Sequence, residues 1–169
     1  VIGAPSTDER WPWPEPRLTY ANAAQAEALI VAGTHLRRPE VLDGGLRLLR
    51  WLLDRETVDG HLSPTPVGGA GPDERPPMFD QQPIEVAAMA DACARALAVT
   101  GDDRWQHGID LACLEELRRI EKELQDQGYL PVQAVRADQA GEGGLRRCFL
   151  GHELSDLLHK LLVADDAQV

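Results

Sequence analysis

Basic residues are scarce in this chain: 17 Lys and Arg stand against 28 Asp and Glu in 169 residues, a formal net charge of -11. Neither nucleic acid nor an anionic membrane surface attracts so acidic a protein, and the arginines are dispersed, so both partners are excluded. Cysteine is rarer still. Cys93, Cys113 and Cys148 are too few and too scattered for a disulfide framework or a metal cluster. Cys93 and Cys113 fall on apolar helical stripes, which reads as core packing and suits a reducing, cytoplasmic location. No apolar stretch reaches the ~18 residues that span a bilayer. No signal peptide is visible, and because the chain starts at Val1 that absence has little weight.

Familiar chemical signatures are missing too. The chain has no Gly-x-Gly-x-x-Gly, no Walker loop, no Gly-x-Ser-x-Gly and no paired Cys-x-x-Cys, so nucleotide cofactors and serine or cysteine nucleophiles have no positive support. HELSDLLH sets His152 and His159 seven apart rather than the four of the zinc-protease helix, and no metal or cofactor is expected. No alternating strand pattern stands out either, so the chain reads as all-α.

What is present is a repeat. Residues 60–85, GHLSPTPVGGAGPDERPPMFDQQPIE, pass from a Gly-x-Leu through a Pro/Gly-rich loop into a helix start, and residues 128–153, GYLPVQAVRADQAGEGGLRRCFLGHE, do the same. RRPEVLDGGLRLL (37–49) likewise aligns with GDDRWQHGIDLAC (101–113). An internal period of about 64–68 residues marks a stacked supersecondary unit, here a helical hairpin. The expected fold is a single domain over 1–169: an array of antiparallel hairpins, part of an (α/α)6-type toroid or a solenoid.

Punctuation places the helices. Residues 1–19 contain four prolines and are expected to be irregular. A first helix runs from about Tyr20 to Leu36. Pro39 opens a second, striped by Leu42, Leu46, Leu49 and Leu53, which Gly60 closes as a left-handed cap. The loop 61–82 holds five prolines, and such a length is usually functional or disordered. Pro83 opens a third helix with Val86, Met89, Ala90, Cys93 and Leu97 inward, ending at Thr100-Gly101. Asp102 caps a fourth, striped by Trp105, Ile109, Ala112, Leu117, Ile120 and Leu124 and stopped by Gly128. A fifth spans Leu150 to about Leu162.

Short turns at 36–39 and 99–102 alternate with long segments. In an antiparallel array alternate connections share an end, so the three long segments are expected to converge there, where function is usually carried. The first brings Trp11, Trp13, Glu15, Tyr20 and Asn22. The second brings Asp59, His61, Ser63, Asp80, Gln81, Gln82 and Glu85, and the third Tyr129, Gln133, Arg136, His152 and Glu153. Aromatic rings beside carboxylates and amides suit a sugar, whose C–H faces stack and whose hydroxyls hydrogen-bond. Each residue also has a plainer role. The tryptophans can pin an irregular segment to the core, Glu15 can pair with Arg17, Asn22 and Asp80 can cap helices, and Glu85 can offset a helix dipole.

WPWPEPRLTYANA (11–23), LLRWLLDRETVDGHLSPTPVGG (48–69) and FDQQPIEVAAMADACARALAVTGDDRW (79–105) resemble the C-terminal half of bacterial glycosyltransferase-associated proteins, which are themselves similar to six-hairpin glycosidase-like α/α-toroids. The resemblance covers about 60% of the chain, residues 10–110, and fades beyond 112. It implies a central cavity lined by Trp13, Glu15, Tyr20, Asn22, His61, Asp80, Gln81, Gln82 and Glu85. The expected function is therefore carbohydrate binding or acid–base glycosyl chemistry in sugar or glycan metabolism. Two of Glu15, Asp80, Glu85 and His61 would serve as catalysts, with Trp11, Trp13, Tyr20, Asn22, Gln81 and Gln82 holding the sugar. The alternatives are a non-catalytic helical module docked to a glycosyltransferase and a protein-interaction scaffold. The five helices read here are fewer than a ring of six hairpins contains, which points to a half-toroid completed by a missing N-terminal portion, by a separate subunit or by self-association.

Overall fold

The computed structural model describes residues 8, 10–74 and 80–126, with the side chains of four residues between 121 and 125 left aside. The chain divides into two compact units, Val1–Arg118 and Arg119–Val169, where the sequence reading treats 1–169 as one domain. The first unit contains the site described below.

The described residues are predominantly helical: α1 (Asn22–His35), α2 (Pro39–Glu56), α3 (Pro83–Thr100) and α4 (Asp103–Asp126). The two prolines expected to open helices stand at the first position of α2 and α3, where a residue without an N–H costs nothing. Gly101 ends α3 in the left-handed conformation (φ 67°), its N–H donating to Leu97 O at 2.8 Å. Asp102 starts α4 as expected: its carboxylate accepts the Arg104 N–H at 2.9 Å. The fifth helix expected at 150–162 lies outside the described residues.

One expectation needs correction. Gly60 does not cap α2. Asp59 (φ 51°) and Gly60 (φ 76°) both take positive φ and form the tight turn of a small antiparallel hairpin, β1 (Thr57–Val58) and β2 (His61–Leu62), in the register Thr57–Leu62 and Val58–His61. Asp-Gly favours this turn because its backbone twist matches that of the flanking strands. Strands of two residues are too short to show alternation, which is why none stands out in the sequence.

Helix α1 packs against both α2 and α3. Glycine permits the α1–α2 approach: a Cβ at Gly33 would collide with the Leu42 backbone, and one at Gly45 would sit 2.8 Å from Ile30 N. Leu49 and Leu53 of the expected α2 stripe are buried, together with Leu48 and Leu52. In α3, Val86, Met89, Ala90 and Cys93 are buried. Trp105 and Ala112 of α4 join this core, but Leu117, also assigned inward, is 44% exposed.

The irregular N-terminal segment is bound to the scaffold. Trp13 is 1% exposed and stacks on Trp51 at 6.2 Å, while Trp11 meets the same ring edge-on at 5.1 Å. The Arg55 guanidinium lies 4.9 Å from the Trp11 ring centre and donates to Gly71 O at 2.8 Å. Leu18 and Ala70 exchange backbone hydrogen bonds of 2.8 and 3.1 Å as an isolated antiparallel bridge. The Arg17 guanidinium grips Glu74 through both nitrogens, at 2.6 and 2.9 Å. The first two long segments therefore do meet at one end of the helices. The third lies outside the described residues.

Candidate functional site

Where those segments meet the start of α3 there is a cleft of ≈ 120 Å³, lined by Thr19, Tyr20, Thr65, Pro66, Val67, Gln82 and Glu85. Two buried carboxylates are associated with it, Glu85 on the lining and Glu56 behind Thr65.

Glu85, in the first turn of α3, is 5% exposed. Its oxygens accept the N–H groups of Ala21 at 2.6 Å and Asn22 at 3.4 Å. A carboxylate from α3 thereby satisfies two of the orphan donors that open α1, in a position the helix dipole also favours. Ala21 itself has φ 49° and ψ 44° and supplies no side-chain cap. The left-handed conformation costs an alanine roughly 1–2 kcal/mol, and the Glu85 hydrogen bond holds it there. Burial raises the Glu85 carboxyl above its ordinary range, and the Ala21 and Asn22 amides pull it back.

Glu56, the last residue of α2, is also 5% exposed. Its Oε1 accepts both the Thr65 N–H at 2.9 Å and the Thr65 hydroxyl at 2.6 Å. Its backbone carbonyl accepts Ser63 N–H at 2.6 Å. Burial pushes the Glu56 carboxyl up to about 7; the two Thr65 hydrogen bonds oppose that rise, the charge of Glu85 adds to it and that of Arg55 reduces it. Glu56 therefore senses the charge of Glu85, and it fixes Thr65 on the cleft wall.

The loop is anchored on its other side as well. Gln81 Nε2 donates to Ser63 Oγ at 2.9 Å, and Val67 N–H donates to Asp80 O at 3.0 Å. Asp80 takes φ 65°, so two non-glycine residues with positive φ, Ala21 and Asp80, flank one cleft. Strained backbone of this kind collects at functional sites when the surroundings over-determine it.

The expected site residues sort into three groups. Tyr20, Gln82 and Glu85 come together on the cleft lining, and Tyr20 is 61% exposed there. Asn22, Gln81 and Asp80 stand behind or beside it. Asn22 is buried, its Oδ1 accepts Thr19 N–H at 2.9 Å, and its Nδ2 is buried without a partner. Gln81 and Asp80 act through Ser63 and Val67 as just described. Asp80 does not cap α3, whose N-cap is Gln82 with no side-chain hydrogen bond.

Trp11, Trp13, Glu15 and His61 do not line the cleft. The two tryptophans spend their faces on Trp51 and on each other's segment, which leaves no ring surface for a sugar. Glu15 is exposed and contributes its backbone carbonyl, which accepts the Trp11 indole N–H at 2.8 Å. Its expected pairing with Arg17 gives way to Arg17–Glu74. His61 is exposed on the hairpin. Tyr129, Gln133, Arg136, His152 and Glu153 lie outside the described residues.

Sequence reasoning overlooked Glu56 and Thr65. The signal for Glu56 was its spacing, three after Leu53, four after Leu52 and seven after Leu49, which puts an acid on the apolar face of α2. Among the described residues no cluster of His, Cys, Asp and Glu is arranged to hold a metal ion, and no helix is long and apolar enough to cross a membrane. No protein-family model, curated protein or solved structure matches this chain.

Proposed function

We propose that the cleft binds a sugar, one ring or terminal residue of a glycan, with Tyr20 stacking on its C–H face and Thr19, Thr65, Gln82 and Glu85 taking its hydroxyls. The observation that supports this reading is the convergence of an exposed aromatic ring, two hydroxyls, an amide and a carboxylate on one concave surface. At ≈ 120 Å³ the cleft is below the ~300–1,000 Å³ of pockets that enclose drug-sized ligands. It suits one end of a ligand whose remainder stays in solvent.

Binding is the better reading than hydrolysis. Glycosidic cleavage by the usual route needs two carboxyl groups facing the scissile bond. Glu85 lines the cleft. Glu56, however, is sealed behind Thr65 and is absent from the lining. A second reading has its own support: Tyr20 and Val67 on the lining are exposed apolar groups, and Ile84, next to Glu85 in α3, is exposed as well, which also suits docking to a protein such as a glycosyltransferase. In both readings we place the helices in a larger α/α-toroid, completed by a partner or by self-association. The buried Cys93 and Cys113 thiols fit a reducing cytoplasm.

Titration of the isotope-labelled chain with neutral mono- and oligosaccharides, followed by amide NMR, tests the proposal. Shifts are expected at Tyr20, Thr65–Val67 and Gln82, with affinity at least 10-fold weaker in Tyr20→Ala. No shifts at millimolar sugar, or equal affinity in that variant, would leave the docking reading in its place.

A further inference from the structure

Resting on the sugar-binding reading, we infer that the cleft selects a sugar bearing a protonated amine over its neutral counterpart. Thr65 has one hydroxyl proton, and it is committed to Glu56 Oε1 at 2.6 Å; what Thr65 offers the cleft is lone pairs. The same oxygen of Glu56 also accepts the Thr65 amide, which fixes the direction of the hydroxyl bond. Glu85 is acceptor-only when ionised, and its two backbone contacts leave lone pairs over. Among the described residues that line the cleft there is no Lys, Arg or His; the donors there are the neutral Thr19, Tyr20 and Gln82 groups, and the charged group is the Glu85 carboxyl.

An ammonium group complements the Glu85 carboxylate and the Thr65 lone pairs. It presents three donors and no acceptor, its hydrogen bonds to a carboxylate are charge-assisted, and it is drawn to an aromatic face such as the exposed Tyr20 ring. Glu56 lies behind Thr65 and holds the Thr65 hydroxyl proton away from the cleft. The net charge of -11 acts in the same direction at long range. The small volume fits as well, since an amino-bearing edge of a ring is all that needs to enter.

The test is calorimetric or NMR titration of the full chain with four probes: glucose, N-acetylglucosamine, glucosamine and 2-aminoethanol. The expected result is that glucosamine binds about 10-fold or more tightly than glucose, N-acetylglucosamine resembles glucose, and 2-aminoethanol binds more weakly than glucosamine. The glucosamine-to-glucose ratio falls towards one in Glu85→Gln. Because Glu85 also holds the start of α1, Tyr20→Leu, at an exposed position, provides a variant that keeps the fold; it lowers the same ratio roughly 3-fold. Equal affinity for glucose and glucosamine overturns the amine selection and leaves the sugar reading intact. If 2-aminoethanol binds as tightly as glucosamine, the sugar reading falls and the amine selection stands. No response to any probe overturns both.

Discussion

Glu56 is the residue with the largest consequence for stability. Its carboxyl moves from an ordinary 4.5 to about 7 on folding, so the folded protein holds a proton that the unfolded chain releases. The contribution is complete below pH ~4.5, where both states are protonated. It falls as pH rises towards 7 and is gone above, because the unfolded state binds fewer protons across that window. At ~1.4 kcal/mol per unit the loss is on the order of 3 kcal/mol, or roughly 6–12 °C in melting temperature. Glu85 shifts in the same direction, while the exposed Asp8, Glu40 and Glu74 shift the opposite way. The decisive comparison is therefore between wild type and Glu56→Gln, whose amide oxygen still accepts both Thr65 donors but carries no charge. Thermal melts from pH 4.5 to 8 are expected to show the variant gaining on wild type with rising pH. Parallel curves would mean that Glu56 is not buried as the acid.

The elements follow local chemistry closely. Helix starts at Pro39 and Pro83, the stop at Gly101 and the cap at Asp102 were legible because each depends on a missing N–H, a positive φ or a short acceptor within a few residues. The 57–62 hairpin was missed because Asp59-Gly60 is compatible with both a helix cap and a tight turn, and only tertiary context decides. The cleft was half legible. Alternating loop lengths place Tyr20, Gln82 and Glu85 at one end, but nothing local says that Trp11 and Trp13 point at Trp51 rather than at a ligand. Packing between elements yields its own prediction. Gly33→Ala forces a methyl into the Leu42 backbone, and overpacking of this sort costs about 1–3 kcal/mol. Gly68, with nothing within 4 Å of its would-be Cβ, is the control, and Gly68→Ala is expected to change stability by less than about 0.5 kcal/mol. Chemical denaturation measures both; equal midpoints would mean that α1 and α2 do not approach this closely.

At the scale of the molecule, the described cleft belongs to one of the two units. Among the described residues the buried core runs from Trp11 to Ala112, and those that line the cleft fall between Thr19 and Glu85, so both belong to the unit Val1–Arg118. A unit with its own core is the physical definition of a domain that folds alone. A chain ended after Asp126, which keeps α4 whole, is therefore expected to retain helical circular dichroism and one cooperative thermal transition. Its melting temperature should fall within a few degrees of the full chain's, and the sugar-induced amide shifts at Tyr20, Thr65–Val67 and Gln82 should survive. A broad, non-cooperative melt would show that the core from Trp11 to Ala112 needs residues beyond 126 to close. Cooperative melting with loss of the sugar response would instead assign part of the binding surface to those residues, as the converging-loop argument anticipates for the segment 129–149.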